Sequence, residues 1–141
     1  MLLDWLVLEP PAPFVEGLRG LQSREHWKQV HDALFSMWLS EAGDSKIVDQ
    51  VQRDMGSYGY EMWSRAGREI EAEYARYQTP LRAMSELRNP PPILHLFSIP
   101  KDQAFLAQQQ DFAEDHPWFK VRRLDGKTHF PFFGVSRDRR S

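Results

Sequence analysis

The best candidate for chemistry in this sequence is His129, in the segment GKTHFP near the end of the chain. It follows WFKVRRL (118–124), which is predicted to be a β-strand. In open α/β sheets, binding sites lie beyond the carboxyl ends of the strands. An imidazole there titrates near neutral pH and can act as a general base. A histidine on a surface turn is the more common case, so His129 alone does not establish a site.

The carboxylate of Asp4 is the second candidate, because it interrupts the apolar run LLDWLVL (2–8), another predicted strand. A buried carboxylate is costly unless it is paired. If the two strand ends meet, Asp4 can bond one ring nitrogen of His129, fix its tautomer and leave the other nitrogen as the base. A carboxylate that caps a backbone N–H at the end of a strand fits the residues equally well.

Trp38 and Trp63 are candidates for a binding pocket, since an indole can stack on a flat substrate and donate one hydrogen bond. Leu34 and Met55 would form apolar walls beside them. The spacing of these residues is also typical of the core-facing side of helices, and tryptophans in such patterns are more often core residues.

The other histidines predict no metal site. His26 and His31 lie five residues apart, whereas two ligands on one helix need a spacing close to i, i+4. His95, inside ILHLFSI, is predicted to be a core or interface histidine. His116, in EDHPW, is predicted to end a helix.

Composition limits the class of protein. The 141 residues have the length of one ordinary domain, and 41% of them are hydrophobic. A net charge of −2 offers no basic surface for nucleic acid, and without cysteine there is no disulfide or thiolate nucleophile. The apolar runs fall far short of the roughly 20 residues that span a bilayer, and MLLDWLVLEPP lacks the basic start of a signal peptide. We therefore expect a cytoplasmic protein with no nucleic-acid or membrane partner.

The middle of the chain is predicted to be helical. Apolar residues recur there at steps of three and four, the pattern of amphipathic helices. The segments with this pattern are 23–43, 44–59, 60–77 and 79–88. Ser23 is the predicted N-cap of the first and Gly43 its stop, while Thr79 precedes Pro80 as the N-cap of the last.

After NPPP the pattern changes to strand (93–99), helix (101–116) and strand (118–124). Such a unit predicts parallel strands joined by a right-handed crossover. We expect an α/β fold in three regions. They are 1–13, a strand with Asp4 and a linker; 14–89, a helical region; and 90–141, the strand–helix–strand segment with the His129 loop. Three strands form a small sheet, so we expect a piece of a larger fold with an open sheet edge.

Several segments, in order along nearly the whole chain, resemble one family. They are LLDWLVL, ALFSMWL, DMGSYGYEMW, HLFSIPKDQAF, DFAEDHPWF and GKTHFP. They are similar to the second half of the cofactor-independent 3-hydroxy-4(1H)-quinolone 2,4-dioxygenases. The resemblance implies a partial α/β-hydrolase fold, in which a helical cap accompanies the last three strands of a mostly parallel sheet.

The resemblance also implies roles for individual residues. His129 corresponds to the catalytic base and Asp4 to its acidic partner, while Trp38, Trp63, Leu34 and Met55 correspond to the substrate pocket. The implied reaction removes the 3-hydroxyl proton of a quinolone, after which the anion reacts directly with O₂ and the ring opens with loss of carbon monoxide. No cofactor and no metal are implied; the expected partners are a small heteroaromatic substrate and O₂.

The segments of the family's first half have no counterpart here, including the nucleophile-elbow serine and the oxyanion-hole donors. We therefore expect the open edge of the first strand to pair with a missing N-terminal half or with a second copy. Two other functions fit the residues: a piece of an esterase-like α/β-hydrolase, and a non-catalytic module that binds an aromatic ligand or a partner chain.

Overall fold

Six helices and three strands are present in the described part of the chain. The computed structural model describes the backbone of residues 2–3 and all of residues 6–130. In order, the elements are β1 (Leu2–Leu3), α1 (Ala12–Leu21), α2 (Trp27–Leu39), α3 (Ser45–Asp54), α4 (Tyr60–Tyr77), α5 (Pro80–Ser85), β2 (Ile93–Phe97), α6 (Gln103–Asp115) and β3 (Phe119–Arg123). None of these described helices is long and apolar enough to cross a bilayer.

The strands form one parallel sheet in the order β1–β2–β3. Ile93 is paired with Phe119, and Leu2 with His95. The predicted parallel strand–helix–strand unit is therefore confirmed. The first strand is shorter than predicted, because residues 6–8 lie outside it. Val7 is nevertheless buried, so this part of the apolar run signals burial rather than a strand.

The described residues form two compact units. The sheet unit takes residues 2–3, 38–51 and 92–130, and the helical unit takes residues 6–37 and 52–91. The division into regions 1–13, 14–89 and 90–141 stays a prediction.

In the helical unit, α1 lies directly against α4. A Cβ at Gly67 would lie only 2.6 Å from the carbonyl oxygen of Leu18, so the absence of a side chain there permits the close approach. The Tyr60 hydroxyl donates to the Gln22 carbonyl at 2.8 Å and fixes the start of α4 against the end of α1. Leu18, Leu21 and other apolar side chains are buried in this unit.

The predicted helix start is correct at α5 and wrong at α2. The Thr79 Oγ1 accepts a hydrogen bond from the Arg82 backbone N–H at 3.3 Å, which confirms the N-cap. Ser23 does not cap α2, which begins at Trp27. Instead, the Ser23 carbonyl accepts from the Trp27 N–H at 2.8 Å and closes a separate turn before the helix.

In the sheet unit, α6 covers one face of β2 and β3. Phe97 and Phe119 are each 1% exposed and pack against the aromatic rings of α6. His95 is fully buried, with its Nδ1 3.0 Å from the Gln109 Oε1, which confirms it as a core histidine. His116 ends α6 as predicted, and its Nδ1 donates to the Phe112 carbonyl at 2.7 Å.

Candidate functional site

The loop that carries His129 begins where β3 ends, at the carboxyl edge of the sheet. The Leu124 N–H donates to the Phe97 carbonyl at 2.7 Å, which extends the pairing of the two strands by one residue. Beyond it, the loop runs against Ser98, the residue that follows β2. The Ser98 Oγ donates to the Thr128 carbonyl at 2.7 Å, and both residues are 1% exposed.

His129 lies between two residues that are hydrogen-bonded to each other, Thr128 and Phe130. The Phe130 N–H donates to the Thr128 Oγ1 at 3.1 Å, so the backbone on either side of His129 is tied to the Thr128 side chain. The imidazole is half-buried. The structure thus places His129 beyond the ends of two parallel strands, where the sequence predicts it; its catalytic role stays a prediction.

Trp38 is the predicted pocket residue that the structure brings to this loop. Its ring lies 6.2 Å from that of Phe130, centroid to centroid, at an interplanar angle of 82°. Such an edge-to-face contact is favourable for aromatic pairs. Trp38 is half-buried, so part of the indole is accessible beside the residue that follows His129.

The other predicted pocket residues belong to the helical unit. Leu34 and Met55 are half-buried, and Trp63 is 8% exposed. The Trp63 indole packs edge-to-face on His31 and on Phe35, with centroid distances of 5.0 and 5.8 Å. Its Nε1 is buried and has no hydrogen-bond partner among residues 2–3 and 6–130.

Asp4 lies outside the described residues. Its pairing with His129 therefore stays a prediction.

His31 is a buried polar residue, for which the sequence analysis considered only metal binding. It is 4% exposed, and its Nδ1 lies 2.8 Å from the Asp32 Oδ1. A hydrogen bond from Lys28, and then the one with His31, lowers the pKa of the Asp32 carboxyl. The signal was present in the sequence: Trp27, His31 and Phe35 follow one another at steps of four, on one face of α2.

A cavity of about 400 Å³ opens beside the ends of β2 and β3. It is lined by Ser98, Lys101, Arg123, Leu124 and Asp125. The Arg123 Nη1 donates to the Lys101 carbonyl at 2.9 Å, and this bond joins the end of β3 to the loop that follows β2. Within the described residues, no cluster of histidines and carboxylates could hold a metal ion.

Comparison with known proteins identifies relatives of this site's scaffold. A 2-heptyl-3-hydroxy-4(1H)-quinolone dioxygenase from Mycobacteroides abscessus is 43% identical over 131 residues, which are 93% of this chain and 49% of that protein. A second relative, AqdC2 from Rhodococcus erythropolis, a 2-heptyl-3-hydroxy-4-quinolone dioxygenase, is 33% identical over 98% of this chain and 51% of its own length. No protein-family model matches the chain.

A solved structure shows the same fold. A variant of AqdC, in complex with its substrate, the Pseudomonas quinolone signal, superposes with a TM-score of 0.84 at 41% identity, over 92% of this chain and 49% of the AqdC chain. The chain thus spans about half the length of the relatives it matches. These similarities confirm the predicted family resemblance and the predicted partial α/β-hydrolase fold.

Proposed function

We propose that this chain, which is homologous to one half of the 3-hydroxy-4-quinolone 2,4-dioxygenases, supplies the C-terminal half of such an enzyme. Its substrate would be a 3-hydroxy-4(1H)-quinolone, cleaved with O₂ to carbon monoxide and an N-acylanthranilate. The observation that carries the proposal is the similarity to AqdC, whose structure contains the quinolone substrate. We further propose that the reaction takes place in the cytoplasm.

His129 is the proposed base. Its imidazole takes the proton of the 3-hydroxyl group, and the carboxylate of Asp4 bonds the other ring nitrogen and stabilises the imidazolium. The half-buried position of His129 beside two strand ends supports this role, because a base must be reachable by substrate and still be fixed in place.

We propose Trp38, Trp63, Leu34 and Met55 as substrate-binding residues, the role that the family resemblance implies for each of them. A flat quinolone ring stacks on indole and aliphatic surface, and this contact excludes water from the reacting carbon atoms. The deprotonated substrate is electron-rich and transfers electrons directly to O₂. Both oxygen atoms then bridge the ring as a peroxide, whose collapse breaks two ring carbon–carbon bonds and releases the carbon between them as carbon monoxide. This scheme uses no metal or flavin.

The other half of the enzyme would supply what this chain does not carry. Backbone N–H groups aimed at the developing oxyanion typically contribute orders of magnitude to the rate. We propose that this half pairs with the side of β1 that none of the described strands occupies, since β1 uses its other side for β2 and a strand edge offers a row of hydrogen-bonding groups.

A chimera tests the function. This chain would replace the homologous half of the Mycobacteroides abscessus relative, with which it shares 43% identity. We expect the chimera to release carbon monoxide from 2-heptyl-3-hydroxy-4-quinolone and to consume O₂ in equal amounts. The parent enzyme is the positive control, and the chimera with His129→Ala is the negative one.

The outcome discriminates between the three functions considered. A folded chimera that hydrolyses esters and releases no carbon monoxide would overturn the dioxygenase proposal in favour of an esterase. A folded chimera that binds the quinolone and turns over neither substrate would favour a binding module.

A further inference from the structure

We propose that Ser98 is a positioning residue, whose hydroxyl holds the backbone of the His129 loop and thereby the imidazole. Its consequence for catalysis rests on the proposed function. The anchoring of the His129 loop by Ser98 concerns this chain alone and can be tested without an activity assay.

The first observation is the bond itself. The Ser98 Oγ donates to the Thr128 carbonyl at 2.7 Å, between residues separated by 30 positions in the sequence. That carbonyl belongs to the peptide unit that joins Thr128 to His129. Fixing its direction therefore fixes one of the two peptide planes from which the His129 side chain departs.

The second observation is burial. Ser98 and Thr128 are each 1% exposed, so water cannot replace the serine hydroxyl without a rearrangement. Loss of one partner of a buried hydrogen bond leaves the other partner unsatisfied, which costs more than the bond itself contributes. The loop would have to move to recover a partner for the Thr128 carbonyl.

The third observation is steric. A Cβ added at Gly126 would lie 2.7 Å from the Ser98 Cβ and 2.8 Å from its Oγ. The loop thus passes Ser98 at a distance that only glycine allows, and Gly126 is itself buried. Two contacts, one at Gly126 and one at Thr128, hold the segment that leads into His129 against the end of β2.

The peptide plane on the far side of His129 is fixed by the same threonine. The Phe130 N–H donates to the Thr128 Oγ1 at 3.1 Å, and the Phe130 ring packs on Trp38. Ser98 thus anchors a short chain of bonds that includes the peptide units before and after His129. Small displacements of a reacting group are expensive in catalysis, so this anchor gives Ser98 an effect on rate without contact with substrate.

The test in the isolated chain is backbone hydrogen exchange. We expect Ser98→Ala to accelerate exchange of the Phe130 amide by up to about tenfold, while amides in the middle of α4 keep their rates. Gly126→Ala should do the same by displacing the loop. The matched control is Ser85→Ala, because the Ser85 hydroxyl also donates to a backbone carbonyl at 2.7 Å, that of Arg82.

The test in the chimera separates positioning from stability. We expect Ser98→Ala to lower kcat by about 10- to 100-fold with KM within a factor of about two, and Ser85→Ala to leave both unchanged. Unchanged Phe130 exchange in both loop variants would overturn the inference. A kcat of Ser98→Ala equal to that of the parent chimera would do so as well. If the chimera is inactive while the exchange result holds, it is the proposed function that fails and not the anchoring role of Ser98.

Discussion

The Arg19 Nε donates a 2.6 Å hydrogen bond to the Glu71 Oε1, which joins α1 to α4 within the helical unit. The second carboxylate oxygen accepts from the Gln22 Nε2 at 2.7 Å. The bond from Arg19, and then that from Gln22, lowers the pKa of the Glu71 carboxyl. One carboxylate thus connects two residues at the end of α1.

The lowered pKa of Glu71 predicts that the free energy of unfolding falls at acid pH. A folded-state pKa below the unfolded value stabilises the folded protein above the unfolded pKa, and the contribution is lost as the pH falls through the folded pKa. We expect Glu71→Gln to be less stable than the parent chain at pH 7, and the difference to be smaller at pH 4, below the usual pKa of a glutamate carboxyl of about 4.3. Urea unfolding at both pH values measures it.

Glu69→Gln is the control for this prediction, because Glu69 pairs with Arg65 on the exposed surface of the same helix. Exposed pairs of this kind contribute little, so we expect a smaller loss at pH 7. An equal loss in the two variants at both pH values would show that the bonds to Arg19 and Gln22 have no special role.

If His129 and Asp4 act as one unit, substitutions of the two residues should lower kcat of the chimera non-additively. His129→Gln should lower kcat by about 10²- to 10⁴-fold, the usual contribution of general acid–base catalysis. Asp4→Asn should have a smaller effect, and the double variant should be no worse than His129→Gln, because residues that act as one unit do not contribute separately.

His116→Gln is the control for the dyad, since the His116 imidazole caps the end of α6. We expect it to keep full activity. Multiplicative losses in the double variant of His129 and Asp4 would contradict a coupled pair, as would an Asp4→Asn variant with normal kcat.

Much of this fold was predictable because it depends on local pattern. Thr79 and Pro80 mark the start of α5, and the apolar runs around His95 and Val121 mark two parallel strands. The bond of Ser98 to Thr128 has no such local signal, because it joins loops that meet only once β2 and β3 are paired. The prediction of Ser23 as the N-cap of α2 was wrong although its local signal is real. The Ser23 Oγ accepts from the His26 N–H at 3.3 Å and so caps the turn that precedes the helix.

Trp38 should affect both binding and rate, because it contacts the loop of the proposed base and is itself a proposed pocket wall. We expect Trp38→Ala to raise KM for the quinolone and to lower kcat in the chimera, each by about tenfold, the scale of one lost apolar contact. Trp38→Phe keeps an aromatic ring that can meet Phe130 and should lose less.

The control for Trp38 is Trp118→Ala, since Trp118 is equally half-buried in the sheet unit and packs on Phe112 and Phe119. It should lower stability and leave KM near the parent value. If both tryptophan variants changed KM alike, the effect would be a general loss of packing rather than loss of a pocket wall.

Gly67 and Gly17 predict opposite responses to the same substitution in neighbouring helices. In Gly67→Ala, the new methyl group would lie 2.6 Å from the Leu18 carbonyl oxygen and 3.1 Å from the Leu21 Cβ. The backbone carbonyl cannot rotate away, so α1 and α4 must separate, at a cost of about 1–3 kcal/mol.

In Gly17→Ala, the nearest atom is the Val30 Cγ1 at 3.9 Å, an ordinary contact. Alanine should then stabilise the helix by about 0.5–1 kcal/mol through the smaller entropy of the unfolded chain. Free energies of unfolding in urea measure both, and a Gly67→Ala variant at least as stable as the parent would contradict the close approach of the two helices.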